Sequence, residues 1–139
     1  MCREIYWPVC TYKRIDIAYF PGYAVLSLFA MRFTWDENKN RQNLHKHDVR
    51  FETAVLVFDD PYALTQRDDA FTDEERWITV GSIGPGSILL VVHTIGEERQ
   101  EEVIRIISAR AAASYERKAY EEAHKSAEAG RSRHRRKKR

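Results

Sequence analysis

The spacing of hydrophobic and polar residues predicts a strand followed by a helix at the start of the most strongly patterned part of the chain. Phe33 and Trp35 alternate with polar neighbours, as in a short strand with one buried face. Asp36 follows at the position of a helix N-cap, where a carboxylate accepts hydrogen bonds from free backbone N–H groups. This helix is expected to end near Lys46, with Leu44 turned toward the core.

A second helix is predicted by the spacing of four apolar residues, Phe51, Ala54, Val55 and Phe58. They recur at i, i+3, i+4 and i+7, which is the stripe of a helix packed on a core. Pro61 is expected to end this helix, because proline lacks a backbone N–H and restricts the residue before it.

Four strands are predicted next, separated by turn-forming or charged segments. We place them at 62–66, 76–83, 88–94 and 103–108. The sequence Gly84-Pro85-Gly86 is a strong turn signal and predicts a hairpin between the second and third of these strands. The segment 97–102 is rich in glutamate, and we interpret it as a solvated loop.

The pattern becomes helical again over 111–127, and Gly130 is expected to close this last helix. Two helices, a run of strands and a final helix predict an α+β domain. In such a domain, we expect the helices to pack on one face of an antiparallel sheet.

Charge divides the chain into three parts. Residues 1–30 hold three basic and two acidic groups. Residues 31–124 hold 12 basic and 18 acidic groups, and residues 125–139 hold eight basic groups and one acidic group. We therefore predict an acidic domain over 31–124 and a basic, disordered tail over 125–139. The tail is either a solvated end or an aid to RNA affinity, since basic runs bind polyanions without reading sequence.

The first thirty residues are interpreted as an N-terminal extension. Both cysteines, Cys2 and Cys10, lie there, so a disulfide scaffold is excluded for the predicted domain and a reducing cytosol is the natural setting. The apolar segment 18–31 is interrupted by Pro21-Gly22 and is too short to span a membrane. We expect Met31 to be the authentic start of translation.

Two blocks of residues about sixty positions apart resemble the BrnT family of bacterial type II toxins, together with Val57-Phe58-Asp59-Asp60-Pro61 between them. The blocks are Phe33-x-Trp35-Asp36-x-x-Lys39-x-x-x-Asn43-Leu44-x-Lys46-His47-x-Val49-x-Phe51, and Arg105-Ile106-Ile107-Ser108-Ala109-Arg110 with Glu116-Arg117-x-x-Tyr120-Glu121. The resemblance covers roughly residues 31–123, and it is carried by the ordered set of motifs rather than by any single one.

The resemblance implies a RelE-like α+β fold with two N-terminal helices, an antiparallel sheet of about four strands and a C-terminal helix. It implies an endoribonuclease that works in the cytoplasm without a cofactor. It also implies inhibition by a BrnA-type antitoxin with a ribbon-helix-helix DNA-binding end. RNA would be the substrate, operator DNA would be contacted only through the antitoxin, and no membrane would be involved.

Three arginines are candidates for the phosphate site that such an enzyme requires. RNA cleavage without a metal needs a cation to offset charge on the phosphate, and arginine binds phosphate at two points while staying charged. Arg76 opens the second predicted strand, at a point where BrnT relatives also place an arginine; Arg110 joins the fourth strand to the last helix; and Arg105 lies within the fourth strand. Each has a structural alternative: pairing with the neighbouring acidic loop for Arg76, contacts to carbonyls for Arg110 and a cross-strand salt bridge for Arg105.

Three residues are candidates for moving protons. Glu116 and Tyr120 are four residues apart, so they share one face of the last helix, where they act as base and acid or hydrogen-bond each other. His93 alternates with Leu89 and Val91, which favours a core histidine, with proton transfer as the alternative.

Lys46 and His47 place positive charge at the end of the first helix and are candidate RNA contacts. No metal site is predicted, because the histidines lack ligand spacing and no HExxH or Cys/His module occurs. The sequence departs from the family pattern at Asp48, where a glycine usually follows the Lys-His pair. Aspartate tolerates the left-handed backbone that a glycine would supply there.

Two rival functions remain open at this point. The chain could be a catalytically degenerate module that binds the antitoxin and acts only in operon autoregulation. The departure from the family pattern at Asp48 and the long acidic segment 97–102 favour this alternative. It could also be a general nucleic-acid-binding protein that uses residues 125–139. Growth arrest on expression separates the toxin from the antitoxin-binding module. The nucleic-acid-binding hypothesis predicts that deleting residues 125–139 removes all RNA affinity.

Overall fold

The computed structural model describes residues 2–6, 31–70 and 73–137, and among these the side chains of 31–70 and 73–130. The elements are β1 (Cys2–Tyr6), β2 (Met31–Asp36), α1 (Glu37–His47), α2 (Phe51–Ala54) with a 3-10 turn (Val55–Asp59), β3 (Leu64–Asp68), β4 (Arg76–Gly84), β5 (Ser87–Glu98), β6 (Glu101–Ala111) and α3 (Ser114–Lys137). The fold is α+β with a C-terminal helix, as predicted.

The sheet is larger than predicted and is not purely antiparallel. The described residues form six strands in the order β1-β2-β6-β5-β4-β3. Strand β2 pairs with β6 in parallel, whereas the other neighbours are antiparallel. The prediction of about four antiparallel strands was therefore wrong in number and in direction, because β1 and β2 extend the sheet beyond β6.

Helices lie on both faces of the sheet, not on one as predicted. On the first face, the apolar side chains of β2, β5 and β6 pack against α2 and the 3-10 turn; we call this the α1 face. Its fully buried members include Trp35, Phe51 and Val57. On the opposite face, the α3 face, a smaller cluster contains Val80, Ile88, Leu90 and Tyr120.

Helix α1 begins and ends as its sequence requires. The Asp36 side chain accepts hydrogen bonds from the N–H groups of Asn38 and Lys39, and Asp48 closes the helix with a left-handed backbone at φ 57°. The inward-facing residues are Asn40 and Asn43, which are buried, whereas the predicted Leu44 is only half-buried. Hydrogen bonding, not apolar packing, therefore attaches this helix.

The second predicted helix is shorter than its apolar spacing suggests. Residues 51–54 are α-helical, after which the chain tightens into the 3-10 turn. The tightening rotates Val57 into the core and leaves Phe58 half-buried. Asp60 has an extended backbone and ends the segment before Pro61, as predicted.

The predicted acidic loop at 97–102 is instead the end of a hairpin. Strands β5 and β6 continue to Glu98 and Glu101, which pair across the sheet. Arg99 and Gln100 form a two-residue turn with φ of 52° and 67°. The first of the four predicted strands is displaced, since β3 begins at Leu64.

Helix α3 starts and ends later than predicted. It begins at Ser114, passes through Gly130 without interruption and continues to Lys137, where a disordered tail was expected. Residues 138–139 lie outside the described part of the chain, as do 7–30 of the predicted N-terminal extension. Within the part that the structure describes, no helix is long and apolar enough to cross a membrane.

Candidate functional site

All three candidate arginines lie on the α3 face of the sheet. In the register of β6 with β5, Arg110 lies opposite Leu90 and Arg105 lies opposite Thr94. Leu90 and Thr94 are an even number of residues apart on β5, so their side chains point to the same face. Arg76 alternates with Ile78 and Val80 of β4, and Val80 also pairs with Leu90. A single polyanion could therefore contact all three without passing around the sheet.

The three arginines separate into two ends of that face. Arg76 and Arg105 lie at one end with only β5 between their strands, and Arg110 lies at the other. Four residues of β4 separate Arg76 from the level of Arg110, which corresponds to about 13 Å at about 3.3 Å per residue. Arg110 and Arg76 therefore lie at opposite ends of the α3 face.

Arg105 is exposed and lies in a cleft of about 360 Å³. Its neighbours in register are Thr94 on β5 and Thr34 on β2. Within the described residues, the cross-strand salt bridge considered for Arg105 does not form. In the same cleft, Arg32 makes the salt bridge to Glu98 instead.

Arg76 is about three-quarters buried, and its Nε lies 3.4 Å from Glu74 Oε2. This contact is the pairing with the acidic segment that the sequence suggested as the structural alternative. The partner carboxylate is 55% exposed, so this contact by itself contributes little to stability.

Arg110 and Glu116 form the best-defined charged pair of the α3 face. Arg110 Nη1 donates to Glu116 Oε2 at 2.9 Å, and Nη2 donates to Glu116 Oε1 at 2.8 Å. The Glu116 side chain is 10% exposed and that of Arg110 is 36% exposed. Glu116 reaches back from the first turn of α3, while Arg110 lies near the end of β6, so the pair fixes the strand-to-helix junction.

Both partners are ionised at neutral pH. The hydrogen bond from Arg110, opposed by partial burial, lowers the pKa of Glu116, and bonds from the Ala113 N–H and the Tyr115 hydroxyl lower it further. The same hydrogen bond raises the pKa of Arg110. A carboxylate with these partners is a weak base, and its main effect in this state is to hold the guanidinium in one orientation.

Tyr120 does not bond to Glu116, although the two share a helix face. Its hydroxyl donates to Asp60 Oδ2 at 2.6 Å, and the ring is buried in the smaller core cluster. Burial, together with the Asp60 carboxylate, raises the pKa of Tyr120 well above its usual range. Tyr120 therefore anchors α3 to the sheet and does not release a proton at neutral pH.

His93 lies in the core on the α1 face, away from the three arginines. It is 1% exposed, its Nε2 is 2.9 Å from Thr79 Oγ1, and its ring meets Phe58 edge to face. This is the core histidine that alternation with Leu89 and Val91 favoured. A side chain in this position does not reach a phosphate on the opposite face.

Lys46 and His47 are on the last turn of α1, beside the part of β6 that carries Arg110. They follow Asn43 by three and four residues, which places them on its side of the helix. Asn43 itself is hydrogen-bonded to Ala109, the residue before Arg110. Sequence reasoning missed Asn43, although it is part of the first family block, because no chemistry was assigned to it.

Tyr115 was also not identified from the sequence as a candidate residue. It is the most exposed of the large apolar residues in the described chain, at 73%, and its hydroxyl donates to Glu116 Oε1 at 2.9 Å. The available signal is a tyrosine directly before Glu116, one of the candidate residues. Among the described residues, no group of three or more histidine, cysteine, aspartate or glutamate side chains is arranged to hold a metal ion.

The comparison with protein families identifies the class. Residues 35–116, more than half of the chain, match a family described as the ribonuclease toxin BrnT of type II toxin-antitoxin systems. The class is therefore that of the ribonuclease toxins, whose partner is an antitoxin. The chain belongs to the BrnT family, which confirms the resemblance drawn from its motifs.

The comparison with solved structures finds the crystal structure of the Brucella abortus ribonuclease toxin BrnT. That protein is 22% identical to this chain, and the match has a TM-score of 0.41 over 58% of this chain and 94% of the other. No curated protein matches.

Proposed function

We propose that the chain is an endoribonuclease toxin that cleaves RNA by metal-independent attack of the 2′-hydroxyl, with Arg110 binding the scissile phosphate. The observation that carries this proposal is the paired Arg110 and Glu116: a planar cation held by two bonds to the carboxylate and one to the Ala111 carbonyl, with 36% of its side chain exposed to solvent. Such a preorganised cation offsets the charge that builds on a phosphate during attack.

The charged pair also supplies a route for the proton. A bound phosphate competes with Glu116 for the Arg110 guanidinium, so binding of RNA would release one carboxylate oxygen and let its pKa rise toward the ordinary value of 4.5. The freed carboxylate takes the proton of the 2′-hydroxyl as its oxygen attacks phosphorus. The P–O5′ bond breaks on the side of phosphorus opposite the attacking oxygen, solvent water protonates the 5′-oxygen, Glu116 returns its proton to solvent, and a 2′,3′-cyclic phosphate remains.

The other arginines extend the path of the RNA. Arg105 and Arg76 lie on the same face as Arg110 at a separation of several residues, which suits contacts to neighbouring phosphates of an extended strand. We retain Lys46 and His47, at the end of α1, as candidate contacts to RNA that continues beyond the face carrying the arginines. His93 and Tyr120 have no direct role in this mechanism because both are buried with structural partners.

The partner we propose is a BrnA-type antitoxin with a ribbon-helix-helix end, acting in the cytoplasm and contacting operator DNA on behalf of the complex. The excess of acidic residues over 31–124 supports a basic partner. The RelE-like fold is proposed from the same family relationship.

Expression of the full chain tests the toxin function. We expect growth arrest with decay of total RNA, relief of both on co-expression of the neighbouring antitoxin gene, and normal growth with Arg110→Ala. Normal growth with soluble, folded wild-type protein would instead support the non-catalytic antitoxin-binding module.

Tyr115 is proposed to stack on a base next to the cleaved phosphate. Its ring is exposed, and its hydroxyl is tied to the same carboxylate that holds Arg110. Stacking on an aromatic ring contributes about 1–3 kcal/mol per base, so we expect Tyr115→Ala to weaken binding of a single-stranded RNA by about 5- to 150-fold. Tyr115→Phe keeps the ring and should bind within about twofold of wild type. Equal loss in both variants, measured by fluorescence anisotropy, would contradict stacking.

A further inference from the structure

Strand β6 lacks a strand neighbour along one edge at the point where it carries Arg110. On that side β2 pairs only as far as Arg105, through Thr34, and the chain then turns into α1. The backbone of Ala109 is fully buried at this edge. A buried N–H or C=O without a partner is strongly unfavourable, so this position needs a substitute for the missing strand.

The Asn43 side chain is that substitute. Its Nδ2 donates to the carbonyl of Ala109 at 2.7 Å, and its Oδ1 accepts from the N–H of Ala109 at 3.1 Å, which is the pattern of a neighbouring strand. Nδ2 also donates to the carbonyl of Val49 at 2.8 Å. Oδ1 additionally accepts a long bond from Ser108 Oγ at 3.4 Å. The amide thus uses its full capacity of two donors and two acceptors.

The two contacts that fix Arg110 come from opposite directions. Asn43 holds the backbone of the preceding residue from the α1 side, and Glu116 holds the guanidinium from the α3 side. The orientation of the Arg110 guanidinium therefore depends on the position of the β6 backbone that carries it. We propose that Asn43 is a positioning residue for catalysis, which acts through Arg110 and touches no RNA; this inference rests on the proposed function of Arg110.

Asn40 supplies a matched control on the same helix. It is buried to a similar degree, and its Oδ1 accepts from the N–H of Phe51 at 2.8 Å, while its Nδ2 donates to Glu52 at 3.0 Å. Its contacts attach α1 to α2 and do not involve β6. Asn40→Ala therefore removes a comparable buried amide without disturbing the strand at Arg110.

The test is a double-mutant cycle with single-turnover cleavage of a short RNA by the full-length protein, well below the melting temperature of every variant. We expect Asn43→Ala to slow cleavage by about 10- to 100-fold, since small misplacements of a catalytic group have effects of this size. RNA binding should stay within about threefold. Asn43→Asp, which keeps the acceptor and loses both donors, should also be slow, and Asn40→Ala should cleave at nearly the wild-type rate.

The decisive arm is the Arg110→Ala background. If Asn43 acts through Arg110, Asn43→Ala causes no further loss there, whereas a general effect on the fold would lower the rate by the same factor in both backgrounds. An additive loss, or an equal loss in Asn40→Ala, would overturn the proposal. An Arg110→Ala protein with full activity would remove Arg110 from the site and would overturn the positioning role with it.

A second readout does not depend on cleavage. Nitrogen-15 NMR of the Arg110 side chain should show distinct, slowly exchanging Nη–H signals in wild type and Asn40→Ala, because both Nη atoms donate to Glu116, and averaged, rapidly exchanging ones in Asn43→Ala. An unchanged Arg110 signal in Asn43→Ala would overturn the positioning role even if no RNA were cleaved, whereas an inactive protein with the expected signals would count only against the nuclease.

Discussion

Replacing Arg110 by alanine is expected to slow RNA cleavage by about 10²- to 10³-fold, which is the usual effect of removing one preorganised group that stabilises transition-state charge. The guanidinium is oriented by two bonds to Glu116, and its exposed side is the part of the pair that a phosphate can reach. The measurement is the single-turnover rate on a short RNA at saturating protein.

Two further variants make that result specific. Arg110→Lys keeps the charge but loses the two-point geometry, so we expect it to recover only a small part of the rate. Arg117→Ala removes an arginine that donates to the carbonyl of Gly86 at the β4–β5 turn, and it should leave the rate within about threefold of wild type. Equal losses for Arg110→Ala and Arg117→Ala would mean that net charge, not the site, determines activity.

Replacing Asp60 by alanine is expected to lower the free energy of unfolding by about 3 kcal/mol and the melting temperature by about 10–20 °C, because three buried or partly buried donors lose their acceptor. Asp60 Oδ2 accepts from the Tyr120 hydroxyl at 2.6 Å and from the Ser82 N–H at 2.7 Å, and Oδ1 accepts from the Tyr62 N–H. Denaturant titration measures the change.

The neighbouring aspartate is the control for that change. Burial raises the pKa of Asp59, which means that its charged form is disfavoured in the fold. Asp59→Ala should therefore be nearly neutral, and Tyr120→Phe, which removes one of the Asp60 bonds, should cost about 1–2 kcal/mol. If Asp59→Ala and Asp60→Ala were equally destabilising, the hydrogen bonds of Asp60 would not be the cause.

Local patterns predicted the elements that depend on neighbouring residues. The cap at Asp36, the end of the second helical segment before Pro61 and the hairpin at Gly84–Gly86 all follow from such rules. The prediction of a loop at 97–102 was wrong because the glutamates of an exposed hairpin end are as solvated as those of a loop. Charge therefore does not distinguish a hairpin end from a loop. The turn at Arg99-Gln100 also lacks the glycine or asparagine that usually marks a left-handed turn.

Features that depend on distant residues were not predictable from one sequence. The parallel pairing of β2 with β6 joins segments about seventy residues apart, and nothing in the pattern of Phe33 and Trp35 indicates it. The placement of helices on both faces of the sheet also depends on contacts between distant residues. The sequence of α1 gave little indication of how it packs, because the helix is attached through two buried asparagines instead of an apolar stripe.

The sequence singled out Arg110 and Glu116 as candidates but did not predict that they pair with each other. Helical spacing suggested Tyr120 as the neighbour of Glu116. The structure instead gives Glu116 to Arg110 and Tyr120 to Asp60, since the first turn of α3 lies against the end of β6. Asn43 was not singled out because its hydrogen bonds to Ala109 depend on an edge of β6 that exists only once the sheet has formed.

The most direct test of the central claim is to incubate the purified protein with a short single-stranded RNA in excess EDTA and to identify the new ends. We predict fragments with a 2′,3′-cyclic phosphate on one side of the cut and a 5′-hydroxyl on the other, absent with Arg110→Ala. Cleavage that requires added magnesium and leaves a 3′-hydroxyl and a 5′-phosphate would contradict attack by the 2′-hydroxyl. No cleavage by folded wild-type protein would contradict the nuclease itself.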